Sequence, residues 1–250
     1  MRIARVQYRE QVFYAVAEDG VFRRMKGLPY DTIALTGEAY SPEDVKLLAP
    51  AEPSKIVAVG RNYEAHAREM QAEVPPLPLL FIKPSTSVLE PGGEIVWPED
   101  SQRVDYEAEL GVIIGKTCRN VSAEEARDYI FGYTALNDVT ARDLQKADGQ
   151  WTRGKGFDTF CPFGPYVDTD YTTRGKRVRS VLCGEVKQDG CMDDMIYTPE
   201  ALVAFISRGM TLLPGDVVAT GTPEGVGPMK RGDTIEVRID GLEPLVNFVR

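Results

Sequence analysis

"RVDYEAELGVIIG", Arg103–Gly115, joins two tendencies that ordinarily exclude each other. Its second half, Leu110–Ile114, is the kind of apolar run that fills a buried strand, yet Glu107 and Glu109 stand at its entrance. Residues two apart on a strand share a face, with Cα atoms about 6.6 Å apart at the usual rise. The two carboxylates are therefore expected side by side at the edge of an apolar interior. Two ionised acids there repel, and at least one pKa rises. A hard divalent cation with oxygen ligands removes the conflict. Taken alone, the pair fits a solvated strand end carrying two acids equally well.

On either side of this stretch, strand patterns dominate. Residues 1–50 alternate short runs ("RIARVQY", "VFYAVAE", "GVFRRM") with Gly and Asp turns, which predicts a small N-terminal antiparallel β domain. "LLAPAEPSK", Leu47–Lys55, has three spaced breakers and is the candidate linker. "IVAVG", Ile56–Gly60, then opens a main domain over 51–250 as a buried strand. Helices are few. "RNYEAHAREM" is a short one, Ser122 and Glu125 have capping-box spacing, "VTARDLQKA" follows a strand, and Thr198–Pro199 starts "ALVAFISRGM". "DTIEVRIDGLEPLVNFV" is a closing hairpin. Without regular crossovers between strands, the pattern predicts an α+β chain, mostly β with a mixed core, rather than a doubly wound sheet.

Bulk properties narrow the function. The 250 residues are 43% apolar and 27% charged, with a formal net charge of -9. That balance repels nucleic acid and anionic membranes. The basic run "RGKRVR", Arg174–Arg179, reads as a solvated turn and strand edge before an anion patch. No apolar stretch approaches the roughly 20 residues that span a bilayer, and "MRIARVQYRE" lacks the apolar centre of a signal peptide. Cys118, Cys161, Cys183 and Cys191 show no CxxC pairing. They are expected as buried or half-buried free thiols in a reducing cytoplasm.

Two more clusters carry chemistry. Asp138 in "LNDVTARDLQ" is expected at a strand-to-helix junction, with Arg142 and Gln145 behind it at +4 and +7 on one helical face. It fits a metal or substrate ligand, and equally an N-cap with an i,i+4 ion pair. His66, the single histidine, stands three residues before Glu69. On a helix the carboxylate would orient the imidazole and raise its basicity, which suits a general base acting on water. A surface His–Glu pair is the plain alternative.

"GRNYEAHAREM", "LFIKPSTSV", "DYEAELGVIIGK", "GYTALNDVTARDLQ", "WTRGKGFDTFCPFGP" and "GMTLLPGDVVATGTPEGVG" together resemble the fumarylacetoacetate hydrolase family, in order, over about residues 55–249. The resemblance implies a mixed β-roll core, a homodimer and a bound Mg2+ (or Mn2+, or Ca2+). By position it implies Glu107, Glu109 and Asp138 as metal ligands, His66 and Glu69 as the water-activating dyad, and Lys155 beside the metal. Arg142, Gln145, Gly221 and Thr222 match substrate contacts. Cys183 in "VLCGEVKQ" departs from the asparagine more usual there. The activity implied proceeds through a metal-stabilised enolate of a 2-oxo acid. C–C hydrolysis of an acylpyruvate-type substrate, as in aromatic catabolism, leads, with oxaloacetate decarboxylation and 2-hydroxyhepta-2,4-diene-1,7-dioate isomerisation as alternatives. A metal-stabilised module without turnover is the remaining option, and retention of all five metal and dyad residues speaks against it.

Overall fold

The computed structural model describes all 250 residues, Met1–Arg250. The largest sheet has twelve strands. Along its main path Leu35–Tyr40, Val21–Met25, Gln11–Glu18 and Arg2–Tyr8 lead to Cys161–Asp168, followed by Ile130–Asn137, Ala108–Ile114, Val217–Ala219, Ile56–Gly60 and Leu79–Lys83. Neighbours are antiparallel except Val217–Ala219 with Ile56–Gly60, which run parallel. A five-stranded sheet contains the expected closing hairpin, Thr234–Ile239 with Leu245–Val249. A three-stranded sheet joins Val104–Tyr106 to Thr140–Ala141 and Gly227–Pro228. The chain is thus α+β, mostly β with mixed sheets, as its patterns indicated.

Strand Ala108–Ile114 is buried along its whole length because both of its faces are covered. Ala108, Leu110, Val112 and Ile114 point into a core shared with Val178 and Val237 and with Leu202, Val203 and Ile206. Ile113, on the opposite face, packs with Ile56, Leu136, Val217 and Phe163. Burying each such side chain contributes about 1.5–3 kcal/mol. Glu109 falls on the odd-numbered face of this strand, so the apolar packing around Ile113 fixes the side toward which it turns.

Five helices are short, and local chemistry sets their ends: α1 Glu64–Glu69, α2 Ala123–Ala126, α3 Arg142–Asp148, α4 Thr152–Lys155 and α5 Pro199–Gly209. The capping box forms, with Ser122 Oγ accepting from Glu125 N and Glu125 Oε2 from Ser122 N. Thr198 caps α5 by accepting from Ala201 N at 3.3 Å, and Pro199 sits at the first turn.

Several local expectations change. Leu47 and Leu48 belong to strand Lys46–Leu48, paired with Arg2–Tyr8. Arg2 and Ile3 pair with Asp168 and Val167, so residues 1–50 extend the main sheet. Cys183 is exposed, in a left-handed turn conformation at φ 50, because the hairpin it closes points to solvent. Arg177 and Arg179 of the basic run are paired with Asp189 and Asp240.

Thr198→Ala is expected to lower stability by about 1 kcal/mol, a drop in Tm of about 2–4 °C for a chain of this size, while Thr198→Ser keeps the wild-type melting curve. Identical melts for all three would mean that the Thr198 hydroxyl contributes nothing to α5.

Candidate active site and metal centre

The strand expected through Arg103–Gly115 is broken. Val104–Tyr106 and Ala108–Ile114 lie in different sheets, and Glu107 occupies the break between them. Glu109 follows on the second strand. Asp138 lies in the two-residue link between Ile130–Asn137 and Thr140–Ala141. One backbone and one side-chain hydrogen bond hold break and link together: Asp138 N donates to Glu107 O at 2.9 Å, and Glu107 N donates to Asn137 Oδ1 at 3.0 Å. As a result one oxygen from each of Glu107, Glu109 and Asp138 lies within 4.8 Å of the others, all buried.

This corrects the helical reading of Asp138. Helix α3 starts only at Arg142, so Asp138 is no N-cap and makes no i,i+4 pair. Arg142 instead turns inward. Its Nε donates to Asp105 Oδ2 at 2.9 Å, Nη2 to Glu107 Oε1 at 2.5 Å and Nη1 to Gln145 Oε1 at 2.8 Å.

Two more cations reach the cluster. Lys155, at the end of α4, donates to Glu107 Oε2 at 2.7 Å and Asp138 Oδ2 at 2.5 Å. Lys83, at the end of strand Leu79–Lys83, donates to Asp138 Oδ1 at 2.5 Å and Val139 O at 3.2 Å. Sequence reasoning passed over Lys83 and Asp105. Their signals were a lysine closing the apolar run "LLFIK" and the alternation Asp105, Glu107, Glu109.

These pairings divide the carboxylates. Burial pushes the Glu107 carboxyl up, but the ammonium of Lys155 and the guanidinium of Arg142 outweigh it and hold it well below the usual range. Burial likewise pulls Lys155 down, and the charges of Asp138 and Glu107 more than reverse that. Glu109 is the exception. Burial, then the charges of Asp138 and Glu107, raise its carboxyl well above the usual range. Its one hydrogen bond comes from Gly221 N at 2.8 Å. Glu109 therefore has no cation of its own. Three buried carboxylates, one of them uncompensated, and no thiolate among them form a donor set that fits a hard divalent ion. The residues that would hold it are Glu107, Glu109 and Asp138.

The dyad also assembles. On α1, His66 Nδ1 lies 3.2 Å from Glu69 Oε2. Glu69 Oε1 accepts from Gly225 N at 3.0 Å. The tautomer that donates Nδ1–H to Glu69 leaves Nε2 as the acceptor. His66 lines the same cavity of about 270 Å3 as the three carboxylates, Lys155, Gln145 and Thr222. Phe81 and Trp151 supply an apolar wall, their rings edge to face with centroids 5.3 Å apart. Gly60 lets that wall close up, since a Cβ there would lie 2.5 Å from the Trp151 ring. Thr222 Oγ1 donates to Ala108 O at 2.9 Å and accepts from Gln188 Nε2 at 2.7 Å. Gly221 meets the site through Glu109 rather than with a free N–H.

A family model described as fumarylacetoacetate (FAA) hydrolase C-terminal matches residues 55–250, and one described as Rv2993c-like, N-terminal matches residues 1–50. The 5-carboxymethyl-2-hydroxymuconate delta-isomerase from Mycobacterium smegmatis superposes with a TM-score of 0.94 at 41% identity, covering 100% of this chain and 99% of that one. A fumarylpyruvate hydrolase from Pseudomonas aeruginosa, solved in complex with Mn2+ and pyruvate, has a TM-score of 0.75 at 34% identity, over 82% of this chain and 91% of its own. The mitochondrial oxaloacetate tautomerase FAHD2A of Homo sapiens is 40% identical over 219 residues, 82% of this chain and 70% of that protein.

The lone uncompensated acid has a measurable consequence. A carboxyl whose folded pKa is raised binds its proton more tightly in the native state, so stability falls as pH climbs from the ordinary value of 4.5 toward the raised one. Without divalent ions, wild type is expected to lose stability across that interval relative to Glu109→Gln. Added Mg2+ at a hundredfold excess over its Kd should return about 2.7 kcal/mol to wild type and nothing to Glu109→Gln. Melting curves with and without Mg2+ decide it, and an equal Mg2+ response in both proteins rules the assignment out.

Proposed function

The chain belongs to the fumarylacetoacetate hydrolase family, and on that footing we propose that it is a divalent-metal-dependent enzyme that hydrolyses a C–C bond of an acylpyruvate-type 2-oxo acid. The observation that carries this reading is that His66, hydrogen-bonded to Glu69, lines one cavity with the buried carboxylate cluster. The Mn2+ and pyruvate named in the Pseudomonas aeruginosa hydrolase complex support it.

Bound at Glu107, Glu109 and Asp138, Mg2+ or Mn2+ would supply Lewis-acid polarisation of the 2-oxo acid. The chain's own groups do the rest. His66 takes a proton from water, with Glu69 orienting the ring and stabilising the imidazolium. The resulting hydroxide adds to the distal acyl carbonyl. The C3–C4 bond breaks, its electron pair passes to C3 and into the 2-oxo group, and a carboxylic acid leaves. The Lys155 ammonium, held at Glu107 and Asp138, would offset the negative charge of the developing enolate. The proton that His66 took from water returns to C3 and gives pyruvate. Arg142 is engaged by Asp105, Glu107 and Gln145, so its part is to hold Glu107 and the Gln145 amide in place.

A second reading, isomerisation of an unsaturated 2-hydroxy diacid, is favoured by the Mycobacterium smegmatis isomerase, which matches this chain from end to end. Oxaloacetate decarboxylation would use the same carboxylates and Lys155 but no water nucleophile. The homodimer is part of the proposal in each case.

A panel of acetylpyruvate, fumarylpyruvate and oxaloacetate with added Mg2+ or Mn2+ tests the reading. Hydrolysis of one acylpyruvate should dominate, and Asp138→Ala should abolish it. His66→Ala should slow hydrolysis by about 10²–10⁴-fold, the usual contribution of a general base, and leave any oxaloacetate decarboxylation within about tenfold. Equal losses on both reactions would remove His66 from the role of water-activating base.

A further inference from the structure

Helix α1 cannot hold its own position. It has six residues, and its N-cap, Tyr63, makes no side-chain cap. Helices shorter than about 12–15 residues are marginal in water without tertiary support. Just ahead of it, Arg61 sits in the left-handed region at φ 59, so the chain enters α1 through a sharp turn. Two neighbours fasten this entry: Tyr63 is buried in the core and bridged to Met195, and Asn62 is 1% exposed. Its Nδ2 donates to Thr220 O at 2.7 Å and Tyr197 O at 2.9 Å, and its Oδ1 accepts from Tyr197 N at 2.8 Å. Its backbone O accepts from Ile196 N at 2.9 Å.

The loop that Asn62 grips, residues 220–225, is the one that serves the rest of the site. Gly221 N donates to Glu109, and Gly225 N donates to Glu69. The approach is close enough to exclude any side chain at 221. Gly221 has φ 96, and a Cβ there would lie 2.7 Å from Asn62 Cβ. One loop therefore touches the entry of the dyad helix, one carboxylate of the cluster and the carboxylate of the dyad.

We infer that Asn62 is a positioning residue for His66: its amide clamps the entry of α1 to the loop that holds Glu109, and so sets the dyad against the carboxylate cluster. The inference rests on the reading of His66 and Glu69 as the water-activating pair. A planar amide with two donors and one acceptor meets all three backbone partners at once. Aspartate in the same place keeps the bond from Tyr197 N and faces two carbonyl oxygens with no proton to share.

The single histidine makes this testable without background from other imidazoles. Full-length wild type, Asn62→Ala and Asn62→Asp would be treated with diethyl pyrocarbonate and N-carbethoxyhistidine followed by absorbance, with Mn2+ affinity measured in parallel. Release of α1 alone should raise the modification rate of His66 by about tenfold or more and leave Mn2+ affinity within about threefold. In acylpyruvate turnover, kcat should fall, and Asn62→Ala should add nothing in a His66→Ala background, as expected when one residue acts only through the other. Wild-type protection of His66 in both variants overturns the inference. So does loss of Mn2+ affinity in step with protection, or a multiplicative loss in the double variant. If wild type hydrolyses no acylpyruvate, the hydrolase reading falls while the modification rates still decide whether Asn62 holds α1.

Discussion

Like charges buried together are the constraint on which this structure turns. Asp105, Glu107, Glu109 and Asp138 are buried, and three buried cations, Lys83, Arg142 and Lys155, meet Asp105, Glu107 and Asp138. Glu109 is left with a single backbone N–H. An isolated ionised carboxylate in a dry interior costs so much that it either takes up a proton or acquires a cation. A divalent ion held by the three converging oxygens would meet the second condition.

The fold is organised to create that situation. Breaking the strand at Glu107 sends Val104–Tyr106 and Ala108–Ile114 into different sheets, and the two-residue link carrying Asp138 closes over the gap. Helices α3 and α4, which follow the short strand Thr140–Ala141, bring Arg142 and Lys155 to the acids. Loop 220–225 then joins Glu109 to the dyad helix, which lacks the length to hold itself. Separate parts of the chain that have no local reason to meet are thus held by a few charge-assisted bonds, the stronger kind.

Much of this was legible in the sequence because it is local. The two-residue spacing of Glu107 and Glu109, the i,i+3 placement of His66 and Glu69, the Ser122 capping box and the Thr198 cap depend on residues close in the chain, although the break at Glu107 was not foreseen. What escaped depends on partners far apart. Arg2 pairs with Asp168, and nothing in the periodicity of residues 1–50 announces it. Lys83 is 55 residues from Asp138, and its burial is intelligible only beside that acid. Asp138 looked helical because "VTARDLQKA" has helix-forming composition, but pairing of Thr140–Ala141 with Val104–Tyr106 overrides that preference and delays α3 to Arg142. Cys183 looked like a buried thiol because free cysteine usually is, and a left-handed turn at a hairpin end decides otherwise.

The most direct test of the account is anomalous scattering from crystals of the full-length chain grown with Mn2+. The account requires one peak at coordination distance, roughly 2.0–2.3 Å, from an oxygen of each of Glu107, Glu109 and Asp138, with Lys155 still in place beside it. A map with no peak there, and Glu109 bonded to Gly221 alone, would contradict the metal centre and with it the chemistry built on it.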